Sequence, residues 1–325
     1  MQMFDIICVG EAIVDVLVTL SEKGSHYRVE KEKKELTLLL GEKIPVTSSA
    51  FSLGGNAAHV AVGFARLGFR AALAVELGVD EFGEKILKEL EKEKVNKSLL
   101  RQLPDTQTTF NVSVSAGGDR TILVHHIEHE QNFSFANMQS QWIFLTSMGN
   151  TWEDAYTKTL DFVKESGAKL AFNPGGTQLR AGIDSFSDVV KMCDILFVNK
   201  EEAEEILYKE VLPTEKKENA EALLFRLQRM GPKTVVLTDG QNGAYAIDES
   251  SRVFSQKAFP VVVTEKTGAG DGFSAGFIAA IAQGLPVHTA LLWGTAEAAG
   301  VVTKVGGQEG LLTKQEIENM IQKYS

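Results

Sequence analysis

Ile195-Leu196-Phe197-Val198-Asn199-Lys200-Glu201-Glu202-Ala203-Glu204-Glu205-Ile206-Leu207-Tyr208 joins a short apolar run to a helix-like run led by acids. Apolar residues in unbroken sequence suit a strand buried on both faces of a parallel sheet. Acids at a helix start are favoured by the positive end of the helix dipole. The same texture recurs on either side. Strand-like runs lie at Trp142–Thr146, Leu170–Phe172 and Val235–Thr238, and helix-like runs at Trp152–Glu165 and Lys216–Met230. Such alternation predicts a doubly wound α/β fold, mostly parallel, with helices on both faces. Upstream, Phe4–Gly10 and Ala71–Leu77 read as buried strands. Ala57–Leu67 reads as a helix of small and apolar residues closed by Gly68, and Phe82–Lys94 as an amphipathic helix.

Two stretches differ. Thr108–Val114 alternates Phe110, Val112 and Val114 with Asn111 and Ser113. A turn at Ala116–Asp119 leads to a returning run, Thr121–Ile127. That pattern is a half-exposed β-hairpin. Ile13–Leu20 is β-prone, and the charge-rich Tyr27–Leu40 reads as a solvated hairpin. Together they predict a small β-sheet lid of residues 15–49 and 105–130. The large α/β domain then takes residues 1–14, 50–104 and 131–325.

Composition narrows the function. The 325 residues carry 33 Lys and Arg against 43 Asp and Glu, a net charge of −10. So acidic a chain disfavours a general nucleic-acid binder. Cys8 and Cys193 lie far apart and form no CxxC pair, which argues against a disulfide framework or a zinc ribbon. Asp5, Glu11 and Asp15 interrupt the apolar opening, so no signal peptide is expected, and no run is long enough to span a membrane. The expectation is a soluble cytoplasmic protein.

The chemistry concentrates in Thr267-Gly268-Ala269-Gly270-Asp271-Gly272-Phe273-Ser274-Ala275-Gly276-Phe277, which strand-like Val261-Val262-Val263 precedes and a helix-like Phe273–Gln283 run follows. Glycines let backbone amides approach a ligand at a helix N-terminus, which favours negative charge. An acid beside such a turn repels a phosphate. It makes sense if Asp271 accepts a proton from a hydroxyl while Gly268, Ala269 and Gly270 hold the developing charge, the logic of phosphoryl transfer to an alcohol. A capping Asp and a Gly-Ala-Gly turn explain the same residues without chemistry. The stretch is neither a GxxxxGK[ST] phosphate loop nor a dinucleotide fingerprint.

This stretch resembles the second signature of the ribokinase-type carbohydrate kinases, the PfkB family, roughly DTxGAGDxFxxGF. The core GAGDxFxxGF is intact from Gly268 to Phe277, while Glu265-Lys266 replaces the leading Asp-Thr. The resemblance spans nearly the whole chain. Gly54-Gly55-Asn56-Ala57-Ala58-His59 through Leu67-Gly68 looks like the first signature, GGxxxNxAxxxxxLG, with His59 in place of the Asn. Leu77–Gly83 resembles GxDxFG, Asn199–Glu202 matches NxxE, and Thr238–Gly243 resembles TxGxxG.

That resemblance implies an ATP- and Mg²⁺-dependent kinase acting on a primary hydroxyl of a sugar, with Asp271 as base and Gly268–Gly270 as the anion hole. By the same resemblance Asp15, Gly54, Gly55 and Asn56 would hold the acceptor, with His59 also placed there. Asn199 and Glu202 would organise Mg²⁺, Glu202 through water, and Thr238, Gly240 and Gly243 would lie beside the nucleotide. The replaced Asp-Thr puts a monovalent-cation site in doubt. Nucleoside kinases share the signature and supply the alternative acceptor. A catalytically silent sugar or nucleotide sensor on the same fold is a further alternative. A homodimer through the lid is expected. His125, His126 and His129 tempt a metal reading, but a polar rim over the substrate explains them more simply.

Overall fold

A computed structural model describes residues 2–21, 26–117, 119–128, 131–208 and 218–324. Its main sheet has eight strands. From one edge they run Val253–Gln256, Ala244–Ile247, Thr234–Thr238, Ile195–Asn199, Lys169–Asn173, Met138–Thr146, Gln2–Val9 and Ala71–Ala74. The six from Thr234–Thr238 onward are mutually parallel, and the two at the first edge are antiparallel.

Gln2–Val9 shows why such runs read as unbroken apolar stretches. Ile6 and Cys8 belong to the core on one face, with Phe64, Phe144, Phe277 and Trp293. Ile7 and Val9 belong to the core on the other, with Trp152, Phe172 and Leu223. Successive side chains point to opposite faces, and helices cover both.

A separate four-stranded sheet has the order Asp119–His125, Phe110–Ala116, Ile13–Leu20 and Val46–Gly54. A small antiparallel hairpin, Tyr27–Glu30 with Glu35–Leu38, accompanies it. The four-stranded sheet extends beyond the 15–49 span at both ends, to Ile13 and Gly54, where Val14 and Leu53 face each other in register and are both buried in the core.

Other boundaries shift for identifiable reasons. Val261–Val263 is not a strand: Val262 is 86% exposed, and the amides of Thr264 and Glu265 bond to the carbonyl of Val302 rather than to a sheet. The helix after it spans Ala269–Ala282, starting four residues before Phe273, because Gly268 takes a left-handed φ of 73° and turns the chain into the helix there. Asp271 therefore sits inside the first helical turn. Ala71–Leu77 divides into Ala71–Ala74 in the main sheet and Glu76–Gly78, which pairs with Arg101–Leu103. The helix within Lys216–Met230 spans Ala220–Gln228, and Lys216 and Lys217 lie outside the described residues. Among the described residues, no helix is long and apolar enough to cross a membrane. Cys8 and Cys193 are both buried and unpaired.

Candidate active site

The parallel strands bring their carboxyl ends to one edge. Val9 pairs in register with Leu145, Thr146 with Asn173, and Asn199 with Thr238. Open α/β sheets bind ligands outside this edge.

At one part of it lies the Gly268–Asp271 turn. A Cβ at Gly268 would stand 2.5 Å from the Gly307 carbonyl oxygen, so sterics as well as φ demand glycine. The Ala269 amide donates to the Lys266 carbonyl at 3.3 Å, and the helix that opens here brings the positive end of its dipole to the turn. Asp271 is buried in that turn, 7% exposed. His59, from the helix Asn56–Arg66, meets it: Nδ1 lies 2.7 Å from Asp271 Oδ2. The other nitrogen, Nε2, lies 3.0 Å from the carbonyl oxygen of Leu53. Burial opposes charge on this imidazole. The Asp271 hydrogen bond and charge outweigh it, aided by the Leu53 carbonyl and the charge of Asp15, and the His59 pKa is raised. Both ring nitrogens are engaged, so the ring offers an acceptor molecule no free polar atom.

Asp15 lies on the lid strand Ile13–Leu20, in register with Ser52 on one side and Asn111 on the other. Burial raises its pKa, while the His59 charge, an Asn111 hydrogen bond and Arg120 pull the other way. A Cβ on Gly54 would fall 2.4 Å from Asp15 Oδ2, so the missing side chain makes room for the carboxylate. Gly55 is the N-cap of the following helix, with no side-chain cap bond, and Asn56 is the first helical residue. The Asn56 amide group is thus not spent on capping.

Lid and core also meet through charge. Arg120, on the outer lid strand, donates to Glu265 Oε1 at 3.1 Å and to the Thr267 hydroxyl. Glu265 Oε2 accepts the amide of Gly306 at 2.9 Å. The carboxylate that replaces the signature Asp is therefore held by a guanidinium and an amide of this chain.

Asn199 and Glu202 form a reciprocal capping box. Glu202 N donates to Asn199 Oδ1 and Asn199 N donates to Glu202 Oε2, each at 2.8 Å. Burial, despite the Asn199 amide and with help from the charges of Glu201, Glu205 and Asp271, pushes the Glu202 carboxyl up to about 7. Thr238 ends the neighbouring strand, Gly240 opens a single 3₁₀ turn, and Gly243 ends it with φ 102°. The resemblance motifs thus converge from distant parts of the chain: Asp15, Gly54, His59 and Asp271 form one connected group, and Glu202 lies within electrostatic reach of Asp271.

Across residues 3–314 the chain matches the sequence profile of the pfkB family carbohydrate kinases. The chain belongs to this family. It is accordingly a phosphotransferase with an alcohol group as acceptor. Among curated proteins, 5-dehydro-2-deoxygluconokinase of Clostridium beijerinckii is 24% identical over 299 residues, covering 85% of this chain and 86% of that protein. Among solved structures, Arabidopsis thaliana ribokinase complexed with ribose and ATP superposes with a TM-score of 0.79 at 21% identity, over 100% of both chains. The nucleoside kinase of Methanocaldococcus jannaschii gives a TM-score of 0.78 at 20% identity, over 100% of this chain and 99% of that one. These likenesses establish the ribokinase-like fold.

Several residues of this candidate site escape sequence reasoning. Glu11, just past the first strand, accepts the amide of Gly149 at 3.0 Å and faces His126 Nδ1 at 3.4 Å. The His126 pKa is raised by the Glu11 bond, against burial. His125 instead packs edge-on to Phe110, with ring centroids 5.5 Å apart, and His129 lies outside the described residues. Glu11, Arg120 and Gly307 carry no motif. Their partners are distant in sequence, so no local pattern announces them.

Proposed function

We propose that this kinase transfers the terminal phosphoryl group of ATP to a primary hydroxyl of a sugar, by in-line displacement with Asp271 as general base. One observation carries the reading: a buried carboxylate stands in the first turn of the helix whose opening amides belong to Gly268–Gly270. Asp271 takes the hydroxyl proton as the acceptor oxygen attacks. The turn amides and the helix dipole stabilise charge on the transferring group. Asp15, Gly54, Gly55 and Asn56 hold the other acceptor hydroxyls, and Thr238, Gly240 and Gly243 flank the nucleotide.

The residues present suit a magnesium ion held mainly by phosphates and water. Among the described residues no cluster of three or more ligating side chains makes a self-sufficient metal site. Glu202 nevertheless offers a buried carboxylate, with the carboxylates of Glu201, Glu205 and Asp271 close enough to act on it. Through water, Glu202 with Asn199 would hold Mg²⁺, which when bound neutralises phosphate charge. Lid closure would exclude water, the competing phosphoryl acceptor. The exposed Ile122, Leu123 and Val124 on the outer lid strand suit a second copy of the chain, giving a homodimer through the lid. The net charge of −10 disfavours nucleic-acid and anionic-membrane partners and suits a small-molecule kinase.

ADP release from Mg²⁺-ATP across a panel of sugars and nucleosides tests the acceptor class. Turnover on sugars is expected. Turnover confined to nucleosides would make it a nucleoside kinase, and binding without turnover would make it a sensor. Asp271→Asn, with its fold intact by circular dichroism, should lower kcat by roughly two to four orders of magnitude. Near-normal turnover would refute the assignment of the base.

A further inference from the structure

We propose that His59 is a positioning residue for the reaction, clamping Asp271 as a buried imidazolium–carboxylate pair so that one carboxylate oxygen is fixed and the other faces the acceptor. This role rests on the assignment of Asp271 as base and adds what holds it.

Proton counting supports the pairing. The Leu53 carbonyl can only accept, so His59 Nε2 carries a hydrogen. The contact of 2.7 Å between Nδ1 and Asp271 Oδ2 needs one further proton between them. Placing it on Nδ1 yields an imidazolium facing a carboxylate. The ring is 3% exposed, so bulk water cannot compete for either nitrogen.

The surroundings are built for this ring. A Cβ on Gly307 would lie 2.3 Å from His59 Cε1 and 2.5 Å from Nε2, so the imidazole fills a slot that only glycine leaves open. The charges that face His59 are carboxylates from two elements: Asp271 on the helix Ala269–Ala282 and Asp15 on the lid strand Ile13–Leu20. Beyond them, Arg120 and Glu265 act on Asp15, and Glu202 is within reach of Asp271. The charges nearest the ring are therefore negative, which favours its protonated form.

The consequence for the reaction is directional. With Oδ2 tied to His59, the proton leaving the acceptor hydroxyl goes to Oδ1. The dyad passes from neutral to singly positive as the acceptor oxygen bonds to phosphorus and the bond to the departing nucleotide oxygen breaks. That positive charge appears beside the transferring phosphoryl group. When His59 loses its proton, Nδ1 presents a lone pair to Oδ2, the clamp opens and Asp271 is no longer held. Activity should therefore fall on the alkaline side as His59 deprotonates.

Titration of the histidine ring nitrogens by ¹⁵N NMR, in the protein without substrate, tests the pair independently of turnover. His59 should show hydrogens on both nitrogens through neutral pH and lose one only above the range of an ordinary histidine. A ring with one bare nitrogen at pH 7 would overturn the proposal. For kinetics, His59→Leu should lower kcat by roughly 10- to 100-fold, the scale of a misplaced catalytic group, with the KM for ATP little changed. His59→Asn and His59→Gln should recover part of that loss, because an amide can still donate to Asp271, and both should lack the alkaline limb of the wild-type kcat profile. An alkaline limb that persists unchanged in His59→Asn would overturn the proposal. The comparison with Asp271→Asn separates the two assignments. If Asp271→Asn is inactive while all three His59 variants turn over normally, the clamp fails and the base stands. If Asp271→Asn is active, the base itself fails and the clamp with it.

Discussion

The main sheet and the lid sheet are made of similar β-prone residues and differ in what covers them. Ile6, Ile7, Cys8 and Val9 of the first strand are wholly buried, because helices pack on both faces. On the outer lid strand the central Ile122, Leu123 and Val124 are each between 41% and 59% exposed. Buried apolar area stabilises a fold by roughly 25 cal/mol per Å². The core strands therefore supply stability, while the outer lid strand leaves apolar surface exposed in the single chain. A reversal occurs beside the helix Ala269–Ala282. There the core buries Glu297, which accepts the Leu312 amide at 2.9 Å through Oε2 and leaves Oε1 without a partner.

Three substitutions probe this contrast. The largest effect is expected for Phe144→Ala, at a fully buried position in the middle of the main sheet. Cavity formation should cost about 3–5 kcal/mol, read as a lowered midpoint in urea. A cost below about 1 kcal/mol would mean that the two sheets are not distinguished by burial in the way described.

Glu297→Gln comes next, and its effect depends on pH. Burial, opposed by the Leu312 amide and Arg66, pushes this carboxyl from 4.5 up to about 8. The fold thus favours the protonated acid. Its contribution is complete below the unfolded value of 4.5 and is lost as pH rises through about 8. Glutamine removes that loss. The variant should stay close to wild type near pH 5 and exceed it at pH 9 by several kcal/mol, seen as a higher melting temperature. Parallel pH profiles for the two proteins would show that Glu297 is not the group responsible.

The smallest change in stability is expected for Leu123→Ser on the lid. The folding free energy should move by no more than about 0.5 kcal/mol, because little burial is lost in one chain. Sedimentation should nevertheless shift toward monomer. A large loss of stability measured under monomeric conditions would show that this strand serves the fold of the single chain. An unchanged dimer would move the interface elsewhere.

Much of this was legible in the order of residues. The βα alternation from Trp142 onward has a short range: each apolar run and each helix start is decided within a few neighbours by burial, φ preference and dipole. The Gly268–Phe277 signature was equally readable, since a glycine turn before an acid is a local pattern. The boundary at Val261–Val263 was not, because three valines favour a strand only where another strand is free to pair. That segment lies beside the carboxyl end of the helix Val287–Val302, whose Val302 carbonyl takes up the Thr264 and Glu265 amides.

His59 marks the same division at the site. Its sequence neighbours, small and apolar, predict a helix that is buried without a break from Ala57 to Phe64, and nothing among them names a partner. Asp271 lies 212 residues away. Their meeting depends on helix packing across the sheet and on Gly307 leaving space for a ring. Local chemistry therefore determined which elements form and which motif carries the acid. Only the tertiary packing decided which charges face one another, because hydrogen bonds of about 3 Å depend on distances through space that no linear spacing encodes.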